Sequence, residues 1–358
     1  MTKPILLAGG GSLGPVTPLL AVAEAIRQHA PEQSFVWAGT PDGPERAVVT
    51  DAGIPFEQIP VAKIPRYFSW RLLSVPWDMV RAHRAAVALL DKIRPALVLS
   101  AGGFTAVPLI REAANRRIPC IAHQLDYTVG MSNRAVAMHC RYLTTSFAYG
   151  QSPFAREIPT YRIATPIRFD VASIPSRASA CVAFGLDPSR PVLFVTGGGT
   201  GATSLNEAIN TIRGSFPVRC QVIHAAGRGK TEGLPKNHEG YVVRELLNAR
   251  EMRDAYAAAD LVIARAGIGT ISELAALKKA AILVPLPGSV QSANAHALGS
   301  AVRVVQQSND DWTSTLLRIT LELLDRPDER ERMGKRLHEI FPTDHGAALA
   351  ALVMSVLR

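Results

Sequence analysis

The sequence predicts an α/β protein of two domains, each built on a doubly wound parallel sheet. Three observations predict it. Short β-branched runs alternate with longer amphipathic stretches, the βαβ pattern of a parallel sheet. The alternation occurs twice, and between the two series lies a proline-containing stretch, residues 146–176, with few long apolar runs, which reads as a linker. Both series open alike: Ile5-Leu-Leu-Ala-Gly-Gly-Gly-Ser-Leu-Gly14 and Val192-Leu-Phe-Val-Thr-Gly-Gly-Gly-Thr-Gly201 each run from a strand through a glycine turn into a helix. The 358 residues leave each domain enough chain for its own core.

In the first series, residues 5–8, 35–38, 97–100, 120–123 and 143–145 are expected as strands, and 19–28, 77–92, 108–116 and 133–137 as helices. In the second, 192–196, 221–225, 261–264 and 281–284 read as strands, and 204–213, 252–259 and 271–277 as helices. The expected division is 1–163, 164–340 and a closing helical segment, 341–358, packed back on the first domain. Two Rossmann-like domains facing one cleft is the economical arrangement. Ligands of such sheets lie beyond the carboxyl ends of the strands, near helix N-termini.

Composition narrows the class. Apolar residues make up 47% of the chain and mean hydropathy is +0.12, which describes a packed protein rather than a disordered one. Cys120, Cys140, Cys181 and Cys220 form no CxxC pair and are expected as buried thiols in a reducing compartment. Met1-Thr-Lys-Pro runs straight into a strand, where a secretory leader would need a longer apolar stretch. The most apolar window, 95–110, is broken by Gly102, Gly103 and Pro108 and falls short of the roughly 20 residues that span a bilayer. Net charge is +9, of which +6 falls in residues 1–164. A basic balance suits an anionic partner, nucleic acid or lipid, or simply solubility.

Gly9, Gly11 and Gly14 spell G-x-G-x-x-G, but the second strand, Phe35-Val-Trp-Ala-Gly-Thr40, carries no acid for a ribose and Pro15 follows the last glycine. A dinucleotide site is therefore not expected there. The second turn, Gly197-Gly-Gly-Thr-Gly201, can cradle a diphosphate on backbone N–H groups at a helix start. The most specific segment is Arg265-Ala-Gly-Ile-Gly-Thr-Ile-Ser-Glu273, directly after an apolar strand. Gly267 and Gly269 allow close backbone approach, and Glu273 can accept both hydroxyls of a ribose. A competing reading makes Thr270-x-x-Glu273 a capping box, worth about 1 kcal/mol of helix stability.

On these residues the chain resembles the MurG family of glycosyltransferases, glycosyltransferase family 28, over nearly its whole length. The resemblance runs through Gly10-Gly-Ser-Leu-Gly-Pro-Val-Thr-Pro18, Gly102-Gly-Phe-Thr-Ala-Val-Pro108, Ile118-Pro-Cys-Ile-Ala-His123, Gly130-Met-Ser-Asn133 and Thr165-Pro-Ile-Arg168. It continues through the second glycine turn, Ala255-Tyr-Ala-Ala-Ala-Asp260, the 265–273 segment, Val284-Pro-Leu-Pro287 and Gln291-Ser-Ala-Asn-Ala295. It implies the GT-B fold and an inverting transfer of N-acetylglucosamine from UDP-N-acetylglucosamine to a polyprenyl-diphosphate-linked muramoyl-peptide, with no cofactor or metal required.

It further implies a UDP-sugar set of Arg168, Gly198, Gly199, Thr200, Gly201, Leu247, Arg265, Gly267, Thr270, Glu273, Gln291 and Asn294 in the second domain. Within that set Glu273 holds the ribose, Thr270 and the glycine turn meet the phosphates, Arg168 neutralises the diphosphate, and Gln291 and Asn294 read the sugar. Gly11, Ser12, Gly14, Thr105 and Asn133 are the implied acceptor contacts in the first domain. A related transferase with another lipid or saccharide acceptor, or a binding protein that has lost catalysis, are the alternatives.

The chain departs from the family where acceptor and sugar meet. The family's loop histidine is Pro15 here, its His-Glu-Gln-Asn is His123-Gln-Leu-Asp126, and a shortened Pro287-Gly-Ser-Val-Gln291 replaces a segment bearing an acid and a glutamine. Pro15 cannot move a proton, so Asp126, with His123 second, is the expected general base.

Residues 63–94 carry seven basic side chains against two acidic ones, interleaved with aromatics. Arg66, Tyr67, Phe68, Trp70, Arg71 and Trp77 suit an anionic bilayer surface. Single-stranded nucleic acid could use the same mixture, but a lipid-linked acceptor favours the membrane. The expectation is thus a cytoplasmic enzyme, peripheral on the inner face of the plasma membrane, without nucleic acid as partner.

Overall fold

The computed structural model describes residues 3–11, 14–60, 75–154, 158–167, 171–198, 201–235, 237–307 and 311–358. The chain divides into two compact units, residues 1–168 with 344–358, and residues 169–343.

The first unit holds a seven-stranded parallel sheet of β1 (Ile5–Ala8), β2 (Phe35–Gly39), β3 (Phe56–Gln58), β4 (Leu97–Ser100), β5 (Cys120–Gln124), β6 (Tyr142–Thr145) and β7 (Thr160–Arg162), in the order β3-β2-β1-β4-β5-β6-β7. Helices α1 (Val16–His29), α2 (Glu45–Asp51), α3 (Val75–Ile93), α4 (Ala106–Asn115) and α5 (Met131–Val136) connect the strands. Central strands β1 and β4 are buried at every position, as a parallel sheet covered on both faces requires. One core layer joins Leu6, Val98 and Leu143 of the sheet to Leu90 of α3, Leu109 and Ile110 of α4, and Val136 of α5. Helix α1 buries Val16, Leu19, Val22, Ala23 and Ile26 along one face, and Arg27 and His29 complement the dipole of its last turn.

The expected linker contains structure. β7 extends the first sheet beside β6, and β8 (Thr165–Pro166) precedes an Ile167 N–H that donates to the Asp344 carbonyl at 2.8 Å. Both are short edge strands without an apolar run, so periodicity had nothing to register.

The second unit repeats the plan with β9 (Val192–Thr196), β10 (Gln221–Ala225), β11 (Tyr241–Arg244), β12 (Leu261–Ala264), β13 (Ala281–Leu283) and β14 (Arg303–Val304), in the order β11-β10-β9-β12-β13-β14. Its helices are α6 (Arg177–Ala183), α7 (Thr203–Ile212), α8 (Ala249–Ala258), α9 (Ile268–Ala276), α10 (Gln291–Ala297), α11 (Trp312–Leu324) and α12 (Pro327–Ile340). A capping box starts α8, where Asn248 accepts from the Glu251 N–H at 2.9 Å and Glu251 accepts from the Asn248 N–H at 2.9 Å. After β15 (Thr343–Asp344) the chain turns at Gly346, whose positive φ of 85° and close approach to the Ala21 backbone suit glycine alone. Helix α13 (Ala347–Leu357) then lies against α1.

Candidate active site

In each unit the strand order reverses beside the first strand of the series, and a glycine turn leaves the sheet at that point. In the second unit Ala264 of β12 is in register with Thr196 of β9, and with Leu283 of β13 on its other side. That register sets three connections side by side at the carboxyl edge: residues 197–202 after β9, 265–267 after β12 and 284–290 after β13. This is the topological switch point where doubly wound sheets bind ligands.

The turn after β9 is built for backbone approach. Gly198 and Gly201 have φ of 77° and 68°, and a Cβ on Gly201 would collide with the Ala226 carbonyl. The turn closes through Gly201 N–H to the Gly198 carbonyl at 3.0 Å, and the Thr196 hydroxyl accepts from Gly198 N–H at 3.1 Å. Gly199, Thr200 and Arg168 lie outside the described residues. Lys230, which the sequence reading did not single out, donates from Nζ to the Gly201 carbonyl at 3.3 Å and brings a cation to this turn. Its signal was local: the Gly227-Arg-Gly-Lys230 turn that follows β10.

Helix α9 begins with Gly267 as N-cap, and no side chain caps it. Thr270 is therefore the third helical residue, and the capping-box reading of Thr270 and Glu273 is corrected. Glu273 lies in the second turn and is 7% exposed. The half-buried Gly267 and Thr270, with the exposed Gly269, form the helix start, where N–H groups and the helix dipole favour an anion.

Arg265 does not present its guanidinium as expected. It is buried, with Nη1 donating to the carbonyls of Val284 (2.9 Å) and Pro285 (3.2 Å) and to Gln307 Oε1 (2.8 Å), and Nη2 to the Ser204 hydroxyl (2.8 Å). Burial also holds its pKa below the usual arginine value. It ties the connection after β13 to the first turn of α7 and so positions the site. Asn294 is likewise corrected as a sugar reader: its side chain is buried and Nδ2 donates to the Ala266 carbonyl at 3.4 Å. Gln291, half-buried at the start of α10, accepts the Leu286 N–H at 3.0 Å and holds the 286–291 turn. Leu247 is half-buried just before the α8 cap.

In the first unit Ala8 of β1 is in register with Ser100 of β4, so the turns after the two strands are neighbours. A Cβ on Gly103 (φ 99°) would press on the Gly10 backbone at 3.0 Å. The first glycine turn holds an internal anion. Glu45, fully buried at the start of α2, accepts the Thr40 N–H at 2.7 Å, the Thr40 hydroxyl at 2.5 Å and the Gly11 N–H at 3.3 Å to each oxygen. A Cβ on Gly10 or Gly43 would strike that carboxylate. The Gly11 amide is thus committed within the protein, which corrects its expected use as an acceptor contact and leaves no place for a dinucleotide diphosphate on it. Gly14 is exposed beside Pro15, the N-cap of α1; Ser12 lies outside the described residues.

The second turn of this unit also commits its amides within the protein. Gly102 (φ 105°) donates to the Ser100 hydroxyl at 3.0 Å and Gly103 donates to the Ser132 hydroxyl at 3.3 Å. Thr105, N-cap of α4, is buried with Oγ1 unpartnered. Asn133 donates to the His123 carbonyl at 3.1 Å and to Gln124 Oε1 at 2.8 Å, while its own buried Oδ1 has no partner.

The two expected bases separate sharply. His123 is fully buried, its Nδ1 against the Thr144 hydroxyl at 2.9 Å and Nε2 against the Ser146 hydroxyl at 3.1 Å. Burial lowers its pKa to about 4. With both ring nitrogens engaged and no exposed edge it is a core residue, and its catalytic assignment is corrected. Asp126 is half-buried, two residues beyond the end of β5. Its backbone carbonyl accepts from Gln124 Nε2 at 2.7 Å and from the Tyr149 hydroxyl at 3.3 Å, and Tyr127 stacks on Tyr149 at 5.1 Å. The loop carrying the carboxylate is therefore fixed. Asp126 also helps raise the Tyr149 pKa, after burial and Tyr127.

Residues 66–71 of the expected membrane patch lie outside the described residues. Trp77 is 76% exposed on α3. No described helix is long and apolar enough to cross a membrane, and the described residues contain no group of three or more His, Cys, Asp or Glu arranged for a metal ion.

Two doubly wound units, each with a glycine turn at its switch point, have the plan of the GT-B glycosyltransferases. The Acinetobacter baumannii MurG crystal structure superposes with a TM-score of 0.78 at 23% identity, covering 99% of this chain and all of that one. Residues 5–143 match the glycosyltransferase family 28 N-terminal domain, and residues 192–345 its C-terminal domain. A relative from Nocardioides sp., named UDP-N-acetylglucosamine–N-acetylmuramyl-(pentapeptide) pyrophosphoryl-undecaprenol N-acetylglucosamine transferase, is 36% identical over 98% of both chains. One of the same name from Paenarthrobacter aurescens is 35% identical over 93% of this chain and 91% of its own. The chain belongs to glycosyltransferase family 28.

Proposed function

We propose that the chain transfers N-acetylglucosamine, with inversion, from UDP-N-acetylglucosamine to a hydroxyl of a polyprenyl-diphosphate-linked muramoyl-pentapeptide. The observation that carries the reading is the second unit's carboxyl edge, with its glycine turn, uncapped α9 start and Glu273 together, in a chain whose relatives bear that activity in their names. The acceptor oxygen attacks the anomeric carbon, its bond to UDP breaks, and the hydroxyl proton passes to a base. Asp126 is the residue assigned to that base. The diphosphate that departs gains negative charge, which helix N-termini, Lys230 and Arg168 offset. Glu273 accepts the ribose hydroxyls, and Gln291 shapes the turn beside the sugar. The acceptor's lipid places the reaction at an anionic membrane surface on the cytoplasmic side.

Purified protein with UDP-N-acetylglucosamine and a short-chain lipid-linked acceptor should release UDP in step with acceptor glycosylation. No UDP release with any lipid-linked muramoyl-peptide would remove the assignment. Pro15 favours a second reading, a UDP-sugar-binding protein without turnover. In that case UDP still raises the melting temperature, and Pro15→His asks whether only the base was lost.

A further inference from the structure

The second unit buries a line of polar side chains that the proposed transfer does not use. It runs from Tyr241 of β11 through His224 of β10 to Asn206 of α7, all three buried. His224 Nδ1 lies 3.0 Å from Tyr241 Oη, and its Nε2 lies 3.0 Å from Asn206 Oδ1. Asn206 Nδ2 then donates to two carbonyls, that of Ala226 at 3.0 Å and that of Lys230 at 3.2 Å. Those two carbonyls fix every proton in the line. Only an amide NH2 can serve both, so Asn206 Oδ1 faces His224 as an acceptor. Burial lowers the His224 pKa to about 4, so the ring is neutral at pH 7 and carries one N–H. That hydrogen sits on Nε2, and Nδ1 accepts the Tyr241 hydroxyl. The donors therefore run in one direction, from Tyr241 through His224 and Asn206 to the connection after β10.

That connection borders the glycine turn after β9. The Ala226 carbonyl is packed against Gly201, where a Cβ would collide with it. Four residues further on, Lys230 Nζ donates to the Gly201 carbonyl at 3.3 Å. Asn206 thus grips both ends of residues 226–230, one end supporting the glycine turn and the other carrying its cation. We infer that Asn206 is a positioning residue for the diphosphate, held in its orientation by His224 and Tyr241: it sets the Lys230 ammonium against the glycine turn and leaves the uridine contacts alone. The inference rests on the proposed function for placing a diphosphate at this turn. A charge-assisted contact depends on where its cation is held. A buried polar network whose members are all satisfied holds its parts rigidly.

The test is equilibrium binding of uridine and of UDP to the whole protein, measured side by side. Asn206→Ala should weaken UDP about tenfold, the scale of one charge-assisted hydrogen bond, and uridine by less than about twofold. Tyr241→Phe removes one hydroxyl and keeps the ring packed. It should weaken UDP about threefold and again spare uridine. Lys230→Gln completes a double-mutant cycle with Asn206→Ala. Because Asn206 acts through Lys230, the double variant should lose clearly less UDP affinity than the product of the two single losses. Equal losses for uridine and UDP make Asn206 an ordinary core brace and overturn the inference, as does a double variant that loses the full product. UDP affinity unchanged in Tyr241→Phe overturns it too, even where Asn206→Ala fails to fold. Turnover separates the two claims. Wild-type protein that shows the expected pattern in its variants but releases no UDP with any lipid-linked acceptor sinks the proposed transfer and leaves the positioning role standing.

Discussion

Three carboxylates, Glu273, Asp126 and Glu45, have three different fates, and each is testable. Glu273→Ala should abolish most of the rise in melting temperature that UDP produces. A ligand at about 100 times its Kd stabilises by about 2.7 kcal/mol, so the loss is measurable by thermal melting. ADP stabilising as well as UDP would remove the uridine assignment. Asp126→Asn should lower kcat by about 10²–10⁴, the usual worth of a positioned base, with melting temperature and UDP binding nearly unchanged. A fall in stability with turnover per folded molecule preserved would make Asp126 structural instead. Glu45→Ala should lower stability by about 2–4 kcal/mol, because it leaves the buried Thr40 N–H and hydroxyl and the Gly11 N–H without their acceptor. A change in chemical denaturation midpoint well short of that would mean water replaces the carboxylate. The sequence announced Glu273 by its place after a strand and two glycines. It did not announce Glu45, whose partner glycine turn is 34 residues away.

At the scale of elements, helix starts decide where anions belong. Helix α8 satisfies its start through Asn248 and Glu251, whereas α9 begins on Gly267 with no side-chain cap. Asn248→Ala should therefore cost about 1 kcal/mol, read by thermal melting, and leave UDP affinity unchanged. A large loss of UDP binding in that variant would mean that α8, and Leu247 before it, touches the nucleotide directly. Most sheet strands were legible because parallel strands buried on both faces leave continuous apolar runs. Edge strands β3, β7 and β14 were not, since one side of each pairs with nothing and the sequence there is short and mixed. The α9 segment was located by sequence, but its frame was off by three residues: Thr270 looked like the cap, and tertiary packing of Ile268 brought the helix start forward.

For the molecule as a whole, each unit buries a histidine in its sheet. His123 on β5 sits between two hydroxyls, and His224 on β10 lies between Tyr241 Oη at 3.0 Å and Asn206 Oδ1 at 3.0 Å. Burial lowers both pKa values to about 4. Below the ordinary value of about 6.5 the unfolded chain binds protons that the folded chain refuses. Stability is therefore complete above about pH 6.5 and falls with pH toward 4, by up to about 1.4 kcal/mol per pH unit for each histidine. Melting temperature recorded from pH 7.5 to 4 should drop through that window. His123→Gln and His224→Gln should each flatten the slope while lowering stability at neutral pH. A profile flat to pH 4.5 would mean that both rings are protonated in the folded protein as readily as in the unfolded chain.

The sequence by itself determined the two-unit parallel-sheet plan, the glycine turns at both switch points and the nucleotide-suited segment from Arg265 to Glu273. These are local properties: strand periodicity, turn chemistry and residue order survive in any window of chain. Only the tertiary structure decided what the polar side chains touch. It turned Arg265 and Asn294 inward as braces, sealed His123 in the core, set Lys230 beside the second glycine turn and placed Glu45 against the first. Each of those outcomes depends on partners that come close only when the sheet registers are set. A buried polar group costs free energy unless it finds such a partner, so its role is fixed by the fold rather than by its neighbours in the chain.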